Sequence, residues 1–379
     1  MKKKFLIVTT IPLSLGFFRG QVQVLKKEFN VEFVSSSGVN LETICNDGKV
    51  IGYPVEMKRE ISIIKDIVSL YKLTILFFKL KPYVIHSSTP KAGLLSNMAA
   101  WLNNVPVRIY YVHGLRYEGV VGLKRKLLVL MECLSCYFAT DVYSVSIGIR
   151  DLLKSDGITK KKIKVIGNGS VNGIDVEYFS RHNPDVPNLK EKHHINSSNF
   201  VFGFVGRLVK DKGIHELVDA FVKINKNYPN TRLLLVGEFE NGDPINKAIK
   251  VKIKTNKNIL HVGFQRDVRP FLKMMNVFVF PSYREGFGVS LMEAAAMDVP
   301  AISSDITGCN EIIKNGYNGI LIPSKSVINL FNAMEKMISD INLSNEMSKV
   351  CRTSVIDKYE QKALWDKTFE SYSKLIKDV

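Results

Sequence analysis

Val277-Phe-Val-Phe-Pro-Ser-Tyr-Arg-Glu285-Gly-Phe-Gly-Val-Ser-Leu-Met-Glu293-Ala-Ala-Ala-Met297 is the stretch that decides the fold. Its opening apolar run reads as a buried strand, and Leu291 to Met297 reads as a helix. Two carboxylates, Glu285 and Glu293, therefore bracket a Gly-x-Gly turn at a strand-to-helix junction. Glu285 is expected on the loop and Glu293 inside the helix. Both are expected to face the crevice at the carboxyl ends of a parallel sheet, where open α/β sheets bind ligands. Gly286 and Gly288 let the backbone approach a ligand with no Cβ in the way. The N–H groups that open the helix, from Val289 on, favour an anion such as a diphosphate. The glutamates repel an anion and suit hydroxyl donors instead, such as those of a ribose and a sugar.

A second element has the same grammar. The run 200–205 reads as a strand. Gly206-Arg207-Leu-Val-Lys-Asp-Lys212-Gly213 follows it, and a helical pattern begins at Ile214. Here the loop carries cations, which would neutralise charge on a phosphate-bearing ligand.

The run Pro281-Ser-Tyr-Arg-Glu-Gly-Phe-Gly-Val-Ser-Leu-Met-Glu293-Ala resembles the E-x7-E element of retaining, GT-B-type glycosyltransferases of family 4, and the Gly206–Gly213 loop resembles that family's G-R-x-x-x-x-K-G segment. The resemblance implies that Arg207 and Lys212 meet the diphosphate of a nucleotide-sugar donor. It implies that Glu285 holds donor-sugar hydroxyls and Glu293 the ribose, with Gly286, Phe287, Gly288 and Val289 framing the donor. The cations would replace a metal, and no metal or cofactor is expected. In the first half, His113 ends the strand-like Tyr110-Tyr-Val-His113-Gly-Leu-Arg116. The family places such a residue near the donor sugar and the reacting centre. Gly16, in the loop Thr10-Ile-Pro-Leu-Ser-Leu-Gly16-Phe-Phe-Arg-Gly20, and Arg116 are the acceptor or cleft candidates; the tandem Gly-Gly common in the family is missing from this loop. The reaction implied is transfer with retention at the anomeric carbon, with an oxocarbenium-like transition state and no protein nucleophile.

At 379 residues the chain is long enough for two domains. Strands are expected at 5–10, 31–34, 83–86, 107–112, 142–145 and 163–166. A second set is expected at 200–205, 233–236, 259–262, 277–280, 301–303 and 319–322. Helical stretches alternate with them, so each half reads as a doubly wound, Rossmann-like α/β unit. The polar, proline-punctuated stretch 181–194 is expected to be the linker. The division is then an acceptor-binding domain over 1–182 and a nucleotide-sugar-binding domain over 196–358. The resemblance implies that these face each other across a cleft, and that a helix over 359–379 crosses back to the first.

Net charge is +17. Residues 1–180 hold 25 Lys and Arg against 14 Asp and Glu, an excess of 11, and the rest holds 28 against 22, an excess of 6. The runs 58–81 and 123–131 are basic and amphipathic, which suits an anionic membrane surface carrying a lipid-linked saccharide acceptor. The chain shows no nucleic-acid recognition motif, so nucleic acid is not an expected partner. No run approaches the ~20 apolar residues of a membrane span, and the basic N-terminus reads as a first strand rather than a signal peptide. Five cysteines, with one isolated Cys133-x-x-Cys136, read as reduced thiols in a cytoplasmic protein on the inner face of the membrane. The donor pattern looks most like that of transferases using UDP-linked N-acetylhexosamines. The other reading is a GT-B-fold UDP-sugar epimerase or a non-catalytic sugar-nucleotide-binding subunit.

Overall fold

The computed structural model describes residues 2–58 and 60–377. Arg59 of the basic run and positions 378 and 379 of the expected crossing helix lie outside them. The chain divides into two compact units, Met1–Gly173 with Gln361–Val379, and Ile174–Glu360.

The first unit is built on seven strands: β1 Lys3–Val8, β2 Phe29–Ser35, β3 Gly52–Pro54, β4 Val84–Ser87, β5 Val107–Val112, β6 Asp141–Ser144 and β7 Ile163–Lys164. All pair in parallel, in the order β3-β2-β1-β4-β5-β6-β7. The second unit has six: β8 Phe200–Val205, β9 Thr231–Val236, β10 Ile259–His261, β11 Val277–Phe280, β12 Ala301–Ser304 and β13 Gly319–Ile322. These are also parallel, in the order β10-β9-β8-β11-β12-β13. That is the doubly wound order, which reverses between β8 and β11. Parallel strands covered on both faces are apolar throughout. Thus Leu6, Ile7, Val8, Phe202, Phe204, Val277 and Phe278 are all without exposure. Only β3 was absent from the expected strands: three residues at a sheet edge carry no readable alternation.

The stretch 181–194 does not run free between the units. It packs on the second one through cations that bond backbone carbonyls at helix ends. Arg181 donates to the carbonyls of Met297 (3.4 Å) and Lys273 (3.1 Å), the first being the C-cap of helix Val289–Ala296. Lys273 in turn donates to Val186 O at 3.0 Å. Cations at helix carboxyl ends satisfy carbonyls that have no partner within the helix.

The helix Ile341–Tyr359 belongs to the second unit, and the chain breaks at Glu360 before the final helix Gln361–Lys377, which packs in the first. That last helix begins two residues later than the sequence suggested. Tyr372 enters an aromatic cluster with Phe5, His86 and Tyr143 at ring separations of 5.8, 5.6 and 5.6 Å. Trp365 donates to Asn172 Oδ1 at 2.7 Å. Its ring lies over Gly20, whose φ is +74°, and a Cβ there would fall 2.1 Å from the indole. Both conformation and space demand glycine. Gly20→Ala should therefore destabilise the first unit by about 2 kcal/mol, read as a lower melting temperature by circular dichroism. Gly16→Ala, with nothing within 4 Å of its Cβ position, should not.

Candidate active site

Because the strand order reverses between β8 and β11, the loops leaving their carboxyl ends emerge side by side. These are the two loops singled out above, Gly206–Gly213 after β8 and Pro281–Gly288 after β11. Gly213 brings them into contact. At φ +68° it lies against Pro281, and a Cβ would sit 2.0 Å from Pro281 O. The contact is reinforced across the loops: Tyr283 N–H donates to Asp211 O at 2.8 Å, and the Arg284 guanidinium donates to the Asp211 carboxylate at 3.1 Å.

Lys212 then reaches Glu285, and its Nζ donates to Glu285 Oε1. Their side chains are only 15% and 12% exposed. Ser282, wholly buried, donates its hydroxyl to the same oxygen at 2.8 Å. The ammonium also stands 5.3 Å from the centre of the Phe280 ring, a distance at which a cation is attracted to the π face. One N–H of the ammonium is directed at Glu285, which leaves two for a ligand anion. Glu285 retains its second oxygen for a hydroxyl.

Glu293 sits in the helix that opens at Val289, one junction from Glu285 on the loop. It is half-buried, and no described residue hydrogen-bonds its carboxylate. Burial raises its pKa from the ordinary 4.5 to about 7.

Three features differ from the sequence expectation. Val289 N–H is taken by Phe287 O and Gly288 N–H by Gly308 O, each at 2.9 Å. The N–H groups of Gly286, Phe287 and Ser290 are the ones left without partners among the described residues. A tight turn at 287–289 and the close approach of the Gly308 loop account for the difference. The Phe287 side chain points inward, edge-on to Tyr359 at 5.2 Å, so only its backbone is open to a ligand. Arg207 is not joined to Lys212 and Glu285 by any described ion pair. It is half-exposed and pairs with Glu240 at 2.8 Å.

In the first unit, the loop after β1 meets the segment after β4 through Thr10 and Thr89, whose hydroxyls are 2.7 Å apart. His113 follows β5, packed edge-on against Phe17 (5.9 Å) and Tyr111 (5.2 Å). Burial lowers its pKa from 6.5 to about 4, so the ring is neutral near pH 7, and its buried Nε2 has no partner. Gly16 lies in the turn of 3-10 helix Pro12–Phe18, and Arg116 is exposed. Sequence reasoning overlooked His86, on β4, wholly enclosed by Phe5, Phe18, Tyr111 and Tyr372. Neither ring nitrogen is partnered, and burial lowers its pKa to about 3. Ser282 and Glu240 were also missed, since their roles depend on which loops meet.

Comparisons with known proteins bear on the family and the fold. Residues 28–197 match the family model described as Glycosyltransferase Family 4, and residues 185–353 the model described as Glycosyl transferases group 1. The capsular polysaccharide biosynthesis glycosyltransferase CapM of Staphylococcus aureus is 37% identical over 380 residues, covering 99% of this chain and 98% of CapM. The chain belongs to the family 4 glycosyltransferases. This glycosyltransferase acts in surface-polysaccharide biosynthesis. A second relative is the Escherichia coli UDP-Gal:alpha-D-GlcNAc-diphosphoundecaprenol alpha-1,3-galactosyltransferase, 28% identical over 386 residues, covering 99% of this chain and 98% of the relative. Neither relative is described as an epimerase or a non-catalytic subunit. The structure of Anabaena HepE in complex with UDP-glucose is 18% identical, with a TM-score of 0.82 over 98% of this chain and 100% of that one. That likeness shows the fold: the glycosyltransferase has the two-domain α/β GT-B fold.

The elevated Glu293 pKa makes a prediction with a definite sign. Between pH 4.5 and about 7 the folded protein keeps a proton that the unfolded chain has released. The stabilisation from the neutral carboxyl is thus fully present below pH 4.5 and is lost as pH rises through about 7. Glu293→Gln stays neutral, so it should melt higher than wild type above pH 7 and level with it at acid pH. Equal melting-point differences at both ends would refute the raised Glu293 pKa.

Proposed function

We propose that this glycosyltransferase moves a sugar, an N-acetylhexosamine in our reading, from a UDP-sugar to a lipid-linked saccharide at the inner face of the cell membrane. Transfer proceeds with retention and without a metal. The observation that carries the proposal is the Lys212–Glu285–Ser282 cluster at the strand-order reversal, with Glu293 unpartnered on the adjoining helix. A cation that seeks an anion and a carboxylate that seeks hydroxyls meet there, with a second unpartnered carboxylate on the adjoining helix, which suits a sugar attached to a nucleoside diphosphate.

In this reading the two remaining N–H groups of Lys212, the Arg207 guanidinium and the N–H groups of Gly286, Phe287 and Ser290 take the diphosphate. Glu285 accepts from donor-sugar hydroxyls and Glu293 from the ribose. Binding the ribose gives the Glu293 carboxylate, unpartnered among the described residues, a hydrogen-bond donor. When the anomeric C–O bond to the diphosphate breaks, negative charge grows on the leaving oxygen, and cations already in place stabilise it without reorganising. The acceptor hydroxyl bonds the anomeric carbon on the same face, and its proton passes to an oxygen of the departing diphosphate. A neutral His113 in the first unit keeps a buried Nε2 unpartnered, a nitrogen that a substrate hydroxyl would satisfy if it reached it. The names of the relatives support the donor and acceptor classes: the E. coli relative uses UDP-Gal and a diphosphoundecaprenol-linked acceptor, and HepE was crystallised with UDP-glucose. Among the described residues no helix is long and apolar enough to cross a membrane, which fits peripheral attachment.

Lys212→Ala and Glu285→Gln should each lower turnover by about a hundredfold or more with a wild-type circular dichroism spectrum. Near-normal activity in either would sink the site assignment. Turnover should also survive chelation of divalent cations. The donor is tested by thermal shift: UDP and one UDP-sugar should raise the melting point by mass action, and GDP and ADP should not. A shift with GDP-sugars alone would overturn the uridine donor.

A further inference from the structure

Two helices of the first unit turn apolar side chains outward. The helix Ile63–Leu80 buries Ser69, Leu73 and Phe77, yet Ile64 is 78% exposed, Ile67 61%, Tyr71 66% and Phe78 70%. At 3.6 residues per turn these four fall within one arc, on a different side from the buried residues. Lys65, Lys72 and Lys79 recur every seven positions and so form a row along the edge of that arc. The helix Gly122–Phe138 repeats the design. Leu123, 84% exposed, Leu127, Leu130, Leu134 and Tyr137 make its outward stripe, with Lys124 and Lys126 on either side. Between them packs the helix Pro90–Leu102, whose far end exposes Trp101 and Leu102.

The acids are withdrawn from this face. Asp66 is the single acid of the helix Ile63–Leu80 and turns to the buried Lys91 at 2.7 Å. Glu132 is the single acid of the helix Gly122–Phe138 and is buried, accepting from Tyr110 Oη at 2.7 Å. The helix Pro90–Leu102 has none. What faces outward is therefore apolar and cationic.

We infer that this face inserts its apolar stripes into the interface of an anionic lipid bilayer, with the lysine row against the headgroups. An exposed apolar area of this extent on one unit marks an interaction surface. Its charge selects the partner. A second copy of the chain would set lysine rows against lysine rows, whereas anionic headgroups neutralise them. Arg116, a candidate acceptor residue, lines a small cavity with Ile61, Leu128 and Met131 beside the stripes. The docking would thus hold the first unit where a lipid-linked acceptor resides. The inference deepens the proposed lipid-linked acceptor and rests on it for its purpose, but not for its test.

The test is flotation of the full chain with phosphatidylglycerol–phosphatidylcholine vesicles and with phosphatidylcholine vesicles, at low and high salt. Wild type should float with the first and not the second. Lys65→Glu/Lys72→Glu/Lys79→Glu should weaken partition by about a hundredfold, and Ile64→Ser/Ile67→Ser/Phe78→Ser by about tenfold or more. All six positions are exposed, so both variants should keep the wild-type melting point and full turnover on a water-soluble acceptor. Failure of wild type to float, or flotation of both variants like wild type, would overturn the docking surface. So would sedimentation showing a wild-type dimer that the serine variant dissolves, because a second copy would then cover the face. Flotation with no turnover of any UDP-sugar would leave the surface standing and remove the donor reading instead.

Discussion

The ion pair between Lys212 and Glu285 joins residues 73 positions apart, and the catalytic reading depends on it. Neither side chain could be held alone in a site this enclosed. A buried charge without a partner costs several kcal/mol, and each satisfies the other while keeping bonding capacity for a ligand. The pair exists because the sheet order reverses between β8 and β11, which sets the two loops side by side. It also exists because Gly213 has no Cβ to strike Pro281 O. Topology supplies the neighbourhood, and one glycine supplies the contact distance.

Around that pair the polar groups divide into the satisfied and the open. Ser282 and Arg284 use their hydrogen bonds to hold the loops, while Asp211 spends one carboxylate oxygen on Arg284 and leaves its buried Oδ1 unpartnered. Glu293 and three backbone N–H groups have no protein partner. Unmatched polar groups beside a paired cation and carboxylate are what the proposed donor would satisfy. The first unit has its own unmatched set in His86 and His113, kept neutral by burial among aromatic rings. The outer helices of that unit carry exposed lysines.

This distribution separates two tasks physically. The cations of the second unit, Lys212 and Arg207, lie in a loop and pair with Glu285 and Glu240, so their charge is local. The lysine rows of the first unit lie on exposed helices and act on an extended surface. The outward apolar stripes would be a liability on a freely diffusing protein. With the proposed lipid-linked acceptor they would become an asset.

Much of this was legible in the sequence. Uninterrupted apolar runs of parallel strands located twelve of the thirteen strands, and two glycine-punctuated loops located Lys212, Glu285 and Glu293. Buried runs and glycines are dictated locally, by solvent exclusion and by backbone conformation, and so leave a mark in a short window. The tertiary structure alone decided that Lys212 bonds Glu285 while Arg207 bonds Glu240, and that Phe287 turns inward. It also decided that Val289 N–H, the first of its helix, is already taken, and that 181–194 packs on the second unit rather than linking the two. It decided too which side of the helix Ile63–Leu80 meets solvent. A helix that is apolar around most of its circumference does not declare its outer face; the sheet it packs on does. Pairings between distant loops follow from strand order, and strand order is a property of the assembled sheet that no single segment of the chain contains.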